Sequence, residues 1–126
     1  MTIKEVSEKY NITQDTLRYY ERVGMIPPVK RTPGGICDYG EEDCSWVELA
    51  LCVRSAGLPV EAMIEYVRLC REGDDTIAAR LQLLQEQREA LLEQQKKTEQ
   101  TLERLNYKIA HYEKAIKTGK LIWEED

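Results

Sequence analysis

Two sets of side chains in this sequence could do chemistry. The first is a run of hydrogen-bond donors: Thr16, Arg18 and Tyr19, then Lys30 and Arg31, then Tyr39. Guanidinium, ammonium, phenol and hydroxyl groups donate to phosphate oxygens, and Arg and Thr also read base edges in a DNA groove. The second set is four thiols: Cys37, Cys44, Cys52 and Cys70. A thiol becomes a nucleophile as its thiolate, and cations nearby raise that fraction. No two cysteines stand in CxxC spacing, and the only histidine, His111, lies far from them. Neither a metal site nor a cysteine–histidine enzyme is expected, because a nucleophilic thiol needs a base within reach.

The elements that must position the donors are short helices. Ile3, Val6 and Tyr10 have helical spacing, and Asn11 ends that segment. Thr13 is an N-cap for a second helix carrying Leu17, Tyr20 and Val23, which Gly24 closes. Two helices joined by a tight turn have helix-turn-helix spacing. The second of them, Thr13–Val23, is the candidate recognition helix. Pro27 and Pro28 forbid further helix. Pro33-Gly34-Gly35 then predicts a turn between two extended runs, Val29–Arg31 and Ile36–Tyr39. This is a wing, with Lys30, Arg31 and Tyr39 flanking a turn that could clamp phosphate. Spacing alone also admits an ordinary helical hairpin with a solvated polar face.

Helix is predicted next from Glu41 to Ala56, and from Val60 to about Glu72. The pattern changes at Ile77. Positions 77, 81, 84, 88, 91, 95, 98, 102, 105, 109, 112 and 116 alternate spacings of four and three without a break. Nine of these twelve are apolar or aromatic: Ile77, Leu81, Leu84, Leu91, Leu102, Leu105, Ile109, Tyr112 and Ile116. That is a coiled-coil seam, and one helix of roughly 60 Å cannot bury it alone. A partner chain is implied. Arg88, Gln95 and Thr98 form a polar break in mid-seam that could set register. The expected organisation is a DNA-binding domain at 1–73, a dimerisation helix at 74–118 and a short tail at 119–126. Leu121 and Trp123 in the tail should pack on something.

The 126 residues carry a net charge of −5, which by itself argues against nucleic acid. Division by segment changes that. Residues 1–40 hold 6 Lys/Arg against 5 Asp/Glu, residues 41–75 hold 3 against 9, and residues 76–126 hold 9 of each. The acidic excess lies behind the candidate DNA-reading head. With no apolar run near membrane-span length and no secretory leader, the chain is expected to be cytoplasmic, with reduced thiols.

The run Thr16-Leu17-Arg18-Tyr19-Tyr20-Glu21-Arg22-Val23-Gly24-Met25-Ile26-Pro27-Pro28 resembles the signature of the MerR family of transcription regulators. So do Asp38-Tyr39 at the end of the wing, the Glu42-Asp43 helix start, and Ser55-Ala56-Gly57-Leu58-Pro59-Val60-Glu61-Ala62-Met63-Ile64. The resemblance implies a mainly α protein: a winged helix-turn-helix domain with a small β wing, then a long helix pairing in an antiparallel coiled coil. It implies a homodimer that binds a pseudo-palindromic promoter, distorts it and so realigns it for RNA polymerase. Arg18, Tyr19, Lys30, Arg31 and Tyr39, with Thr16 less directly, would contact the DNA.

Leu51-Cys52-Val53-Arg54-Ser55-Ala56-Gly57 further resembles the aldehyde- and electrophile-responsive AdhR/NmlR-type branch, which places its thiol at this position. The resemblance makes Cys52 the expected sensor of a small electrophile. It implies no cofactor. Left to its residue type, Cys52 is a small buried core residue. Cys44 and Cys70 read as core-packing, and Cys37 as an exposed wing thiol. Trp46, Met63 and Tyr66 pack the core or line an effector pocket. A noncovalent ligand, or a coiled-coil adaptor that binds protein rather than DNA, are the competing readings.

Overall fold

A computed structural model describes residues 1–123. Five helices follow in order: α1 (Ile3–Tyr10), α2 (Gln14–Val23), α3 (Glu41–Ser55), α4 (Val60–Glu72) and α5 (Ile77–Thr118), with a 3-10 turn at Asp74–Thr76 before the last.

Each early boundary has a local cause. Thr2 and Glu5 form a capping box at the start of α1: Glu5 N donates to Thr2 Oγ1 at 3.2 Å, and Thr2 N to Glu5 Oε1 at 2.9 Å. Those bonds hold the Glu5 carboxyl below its usual range. Asn11 adopts the left-handed conformation at φ 54° and ends α1. Thr13 caps α2 by accepting from Thr16 N at 3.1 Å. Gly24, at φ 87°, closes α2, its N–H donating to the carbonyls of Tyr20 and Glu21.

The core lies where α1, α2, α3 and α4 meet. Val6, Leu17, Met25, Ile26, Val47 and Ala50 are all at most 1% exposed, and Tyr20, Val29, Met63 and Val67 join them. The amphipathic spacing on each helix supplies that face.

The wing is thinner than the two strands expected of it. Among the described residues it forms one antiparallel bridge, between Arg31 and Cys37. Thr32 N donates to Ile36 O at 2.8 Å, Asp38 N to Lys30 O at 2.7 Å, and Gly35 N back to Thr32 O at 2.8 Å. Pro33 and Gly34 occupy the turn centre, and Gly35 follows at φ 84°. This is a type I turn closed by a left-handed glycine, a three-residue hairpin loop. The arms are too short for a ladder because Pro28 ends one side and Gly40 caps α3 on the other.

The chain divides into two units by internal contacts, Met1–Arg88 and a second from Glu89. The first runs past the boundary expected at residue 73. A polar knot ties the start of α5 to α4. Thr76 Oγ1 donates to Leu69 O at 2.7 Å, Arg80 Nη2 donates to Gly73 O at 2.5 Å, and Arg80 Nε donates to Thr76 Oγ1 at 2.9 Å. Thr76 is buried here, and it satisfies carbonyls at the C-terminus of α4.

In the second unit, Trp123 folds back onto its own helix. Its ring lies 5.1 Å from the His111 ring, 6.3 Å from Tyr107 and 6.0 Å from Tyr112, with Lys108 Nζ 5.5 Å from its centroid. This is the partner the tail was expected to need. Residues 124–126 of the expected tail lie outside the described residues. No helix among the described residues is long and apolar enough to cross a membrane.

Candidate nucleic-acid interface

On α2 the buried residues Leu17 and Tyr20 fix the helix against the core, which turns Arg18, Tyr19 and Arg22 outward. Arg18 is held in place by its own helix: Nη1 donates to Asp15 Oδ1 at 3.1 Å and Nη2 to Gln14 Oε1 at 3.4 Å. Both bonds are exposed, so a phosphate can displace the carboxylate at small cost. Tyr19 is 38% exposed, and the Arg22 guanidinium lies 5.6 Å from its ring centroid. That cation–π contact orients a phenol and a cation together. Arg22 was legible on this face but was not among the expected contacts. Thr16 is half-buried and shares a hydrogen bond with Thr13 Oγ1 at 2.8 Å, so its hydroxyl is committed to the cap.

Across from α2, Lys30 and Arg31 are exposed on the wing. What couples wing to helix is Glu21, which sequence reasoning missed. Its Oε2 accepts from Val29 N at 2.7 Å, and its Oε1 lies 3.7 Å from Arg31 Nη2. The Glu21 side chain is only 18% exposed. One carboxylate on the recognition helix thus anchors the first arm of the wing. The signal was in the sequence, an acid in the last turns of α2 beside Arg18 and Arg22, but its partner is eight residues away across two prolines.

Tyr39 departs from expectation. It is 2% exposed and packs in the core with Leu17 and Met25. Burial, then the nearby Cys37, Glu21 and Asp43, push its phenol up to about 12. A buried phenol cannot face a phosphate on the wing surface; Tyr39 holds the wing's second arm from beneath.

The thiols separate by environment. Cys52 is exposed on α3, contrary to the core role its residue type suggests. Cys44 is buried in the core, as its type does suggest. Cys37 is half-buried rather than exposed, and Arg31 Nη1 donates to its Sγ at 3.2 Å. Cys70 is half-buried beside Tyr66, whose phenol is raised by desolvation and by that thiol. Trp46 and Tyr66 meet, with ring centroids 5.8 Å apart. Met63, 3% exposed, belongs to the core and is not available to line a pocket. His111 Nδ1–H donates to Tyr107 O at 2.8 Å.

The seam residues of α5 are uncovered in the single chain. Ile77, Leu81, Leu84, Leu91, Leu102, Leu105, Ile109, Tyr112 and Ile116 are 41–84% exposed.

Comparison with known proteins agrees with this geometry. The family described as MerR HTH family regulatory protein matches residues 1–70. The HTH-type transcriptional regulator AdhR of Bacillus subtilis (strain 168) is 53% identical over 93 residues, 74% of this chain and 66% of that protein. The chain therefore spans just under two thirds of that relative's length. The crystal structure of a MerR family transcriptional regulator from Listeria monocytogenes superposes with a TM-score of 0.90 at 41% identity, covering 94% of this chain and 90% of that one. HiNmlR, a MerR family regulator lacking the sensor domain and solved bound to promoter DNA, superposes with a TM-score of 0.85 at 31% identity, with 95% of each chain covered. With a helix-turn-helix head, a wing anchored to the recognition helix and these relatives, the chain belongs to the MerR family of DNA-binding transcription regulators.

Proposed function

We propose that the chain acts as a cytoplasmic homodimer that binds a pseudo-palindromic promoter, distorts it, and raises transcription by RNA polymerase when a small electrophile reacts with Cys52. Residues 1–73 read DNA and residues 74–118 pair the protomers. The observation that carries this reading is the outward group of Arg18 and Tyr19 on α2, joined by Glu21 to the wing that bears Lys30 and Arg31. A helix in the major groove and a hairpin on the flanking backbone use donors in those two places.

Activation requires the dimer to favour a deformed DNA state, because a ligand shifts an equilibrium only by binding one state better. Cys52 is exposed on α3, within reach of a solute. Its thiolate adding to an aldehyde carbon forms a hemithioacetal, the former carbonyl oxygen taking a proton from water. Exposure supports the sensor role over the packing role.

In vitro transcription from the DNA upstream of the chain's own gene tests both parts. Wild-type protein should raise transcript yield when an aldehyde or quinone is added. Cys52→Ser should bind the promoter with unchanged affinity and no longer respond. A fully responsive Cys52→Ser variant would move the sensor elsewhere. Failure of the wild type to bind the promoter even at low salt would end the regulator reading.

A further inference from the structure

We infer that the cleft between α1, the base of the wing and the first turns of α3 takes a small, neutral α,β-unsaturated carbonyl compound, with Cys44 as the nucleophile and Lys9 as the donor to the carbonyl oxygen. The site is separate from Cys52, and neither reading falls with the other. It comes from a cavity, a thiol that opens into it, and the charges around it.

Cys44 packs in the core, yet it is not sealed there. Val47 and Ala50 on the same helix have no exposure, whereas Cys44 keeps 7%. The opening is a cleft of about 530 Å³, within the size range of small-molecule sites. Met1 and Tyr39 line it beside Cys44, and Lys9, Glu41 and Glu48 bring charge to it. The two sides of the cleft are fastened together. Tyr10 OH donates to Glu48 Oε1 at 2.8 Å, and Lys9 Nζ lies 5.3 Å from the Tyr10 ring centroid. Glu48 stands four residues beyond Cys44 in α3, so the carboxylate and the thiol share one face of that helix.

These groups select the chemistry of the ligand. A thiol that bonds its ligand needs an electrophilic carbon. Glu41 and Glu48 repel an anion, which favours a neutral compound. An ammonium has three N–H donors and no acceptor, so Lys9 suits a ligand oxygen. In a conjugate addition that oxygen is where negative charge collects, and a donor placed there speeds the step. The Cys44 thiol gives its proton to water, and the thiolate is the attacking form. Its sulfur bonds to the β-carbon, and the C=C electron pair is pushed through to the carbonyl oxygen as an enolate. The α-carbon then takes a proton from water and the C=O re-forms. Nothing is oxidised or reduced, and no further reactant enters.

The cleft also reaches the wing. Met1 N donates to Tyr39 O at 2.7 Å, and Tyr39 N donates to Met1 O at 2.7 Å. Both residues line the cleft, so an adduct on Cys44 presses on this clasp and loosens the second arm of the wing.

Methyl vinyl ketone, a small neutral enone, tests the site on the full chain. Digestion after glutamate puts Cys37, Cys44, Cys52 and Cys70 on separate peptides, so mass spectrometry reads each labelling rate by itself. Cys44 should be labelled in native buffer at a rate that low urea leaves unchanged. Lys9→Met, at an exposed position, should slow Cys44 about tenfold, the worth of one hydrogen bond from a charged donor, and leave the Cys52 rate as it was. In Cys52→Ser protein carrying the Cys44 adduct, amide exchange at Tyr39 should quicken, a readout that needs no DNA. A Cys44 that stays unlabelled, that is labelled only as urea opens the fold, or that reacts equally fast in Lys9→Met would overturn the site. Unchanged exchange at Tyr39 in the adduct would overturn its link to the wing.

Discussion

Glu21 should be the residue through which the recognition helix holds the wing, and two substitutions separate its roles. Glu21→Ala removes the acceptor of the part-buried Val29 N–H, a 2.7 Å bond to a charged group. Such a bond contributes about 1.5–3 kcal/mol, most of it the cost of leaving the donor unpaired. The 3.7 Å pair with Arg31, whose guanidinium is half-exposed, adds at most about 1 kcal/mol. The expected loss for Glu21→Ala is therefore about 2–3 kcal/mol, or roughly 8–24 °C in Tm for a domain of this size. Glu21→Gln keeps a carbonyl for Val29 N–H and gives up only the charge, so it should lose less than about 1 kcal/mol. The same pair should divide in DNA binding. Glu21→Gln removes the acid beside Arg31 Nη2, releasing that edge of the guanidinium to phosphate, and promoter affinity should hold or rise. Glu21→Ala unfastens the wing, and affinity should fall about tenfold or more, since one displaced donor contact is about 1.4 kcal/mol. Urea melts followed by circular dichroism, and fluorescence anisotropy with promoter DNA, measure both. A Glu21→Ala protein as stable as wild type, with wild-type affinity, would refute the anchoring role.

Other outcomes follow from the same packing. Leu17→Ala, at a side chain with no exposure, should cost about 2–5 kcal/mol in the same melts. Gly24→Ala should cost about 1–2 kcal/mol from its left-handed backbone alone, because an added Cβ would sit at an unstrained 3.7 Å from Ile64 Cγ2. Tyr39 favours its neutral phenol in the fold, with a folded value near 12 against about 10 unfolded. Its contribution is thus complete below about pH 10 and is lost as pH rises towards 12, on the order of 2 kcal/mol. Alkaline urea melts should show that decline, and Tyr39→Phe should shrink it, with Tyr10 and Tyr66, also raised, keeping theirs. In a Trp46→Phe background, the remaining Trp123 emission should shift to the red when Tyr107→Ala or His111→Ala removes the rings it stacks on.

Much of the head was legible because its boundaries are local. Thr13, Gly24 and the Pro33-Gly34-Gly35 turn announce themselves within a few residues, since caps and turns depend on nearby backbone. The outward donors of α2 follow from Leu17 and Tyr20 taking the inner face. What escaped depends on distance in sequence. Glu21 meets Val29 only after the chain doubles back past Pro27 and Pro28. Tyr39 alternates with Asp38 in a short wing, and which of the two faces inward is decided by the core beneath it. Cys52 looked like a core residue by type and lies outside, because Val47 and Ala50 already fill the inner face of α3. The knot of Thr76 and Arg80 was hidden as well. It serves the last carbonyls of α4 from the first turn of the next helix, a contact with no pattern in hydrophobic spacing.

The most direct test of the central claim, that α2 and the wing grip promoter DNA, is the salt dependence of binding. Anisotropy titrations of wild type, Arg18→Ala and Lys30→Ala against promoter and scrambled duplexes, from low to physiological salt, give a slope for each. For every phosphate contact removed, the slope of log K against log salt should shrink by about 0.9, and promoter affinity should drop for both variants. Binding to the scrambled duplex should be weak throughout, given a head with 6 basic and 5 acidic residues in its first forty. Slopes and affinities unchanged in both variants would contradict the account.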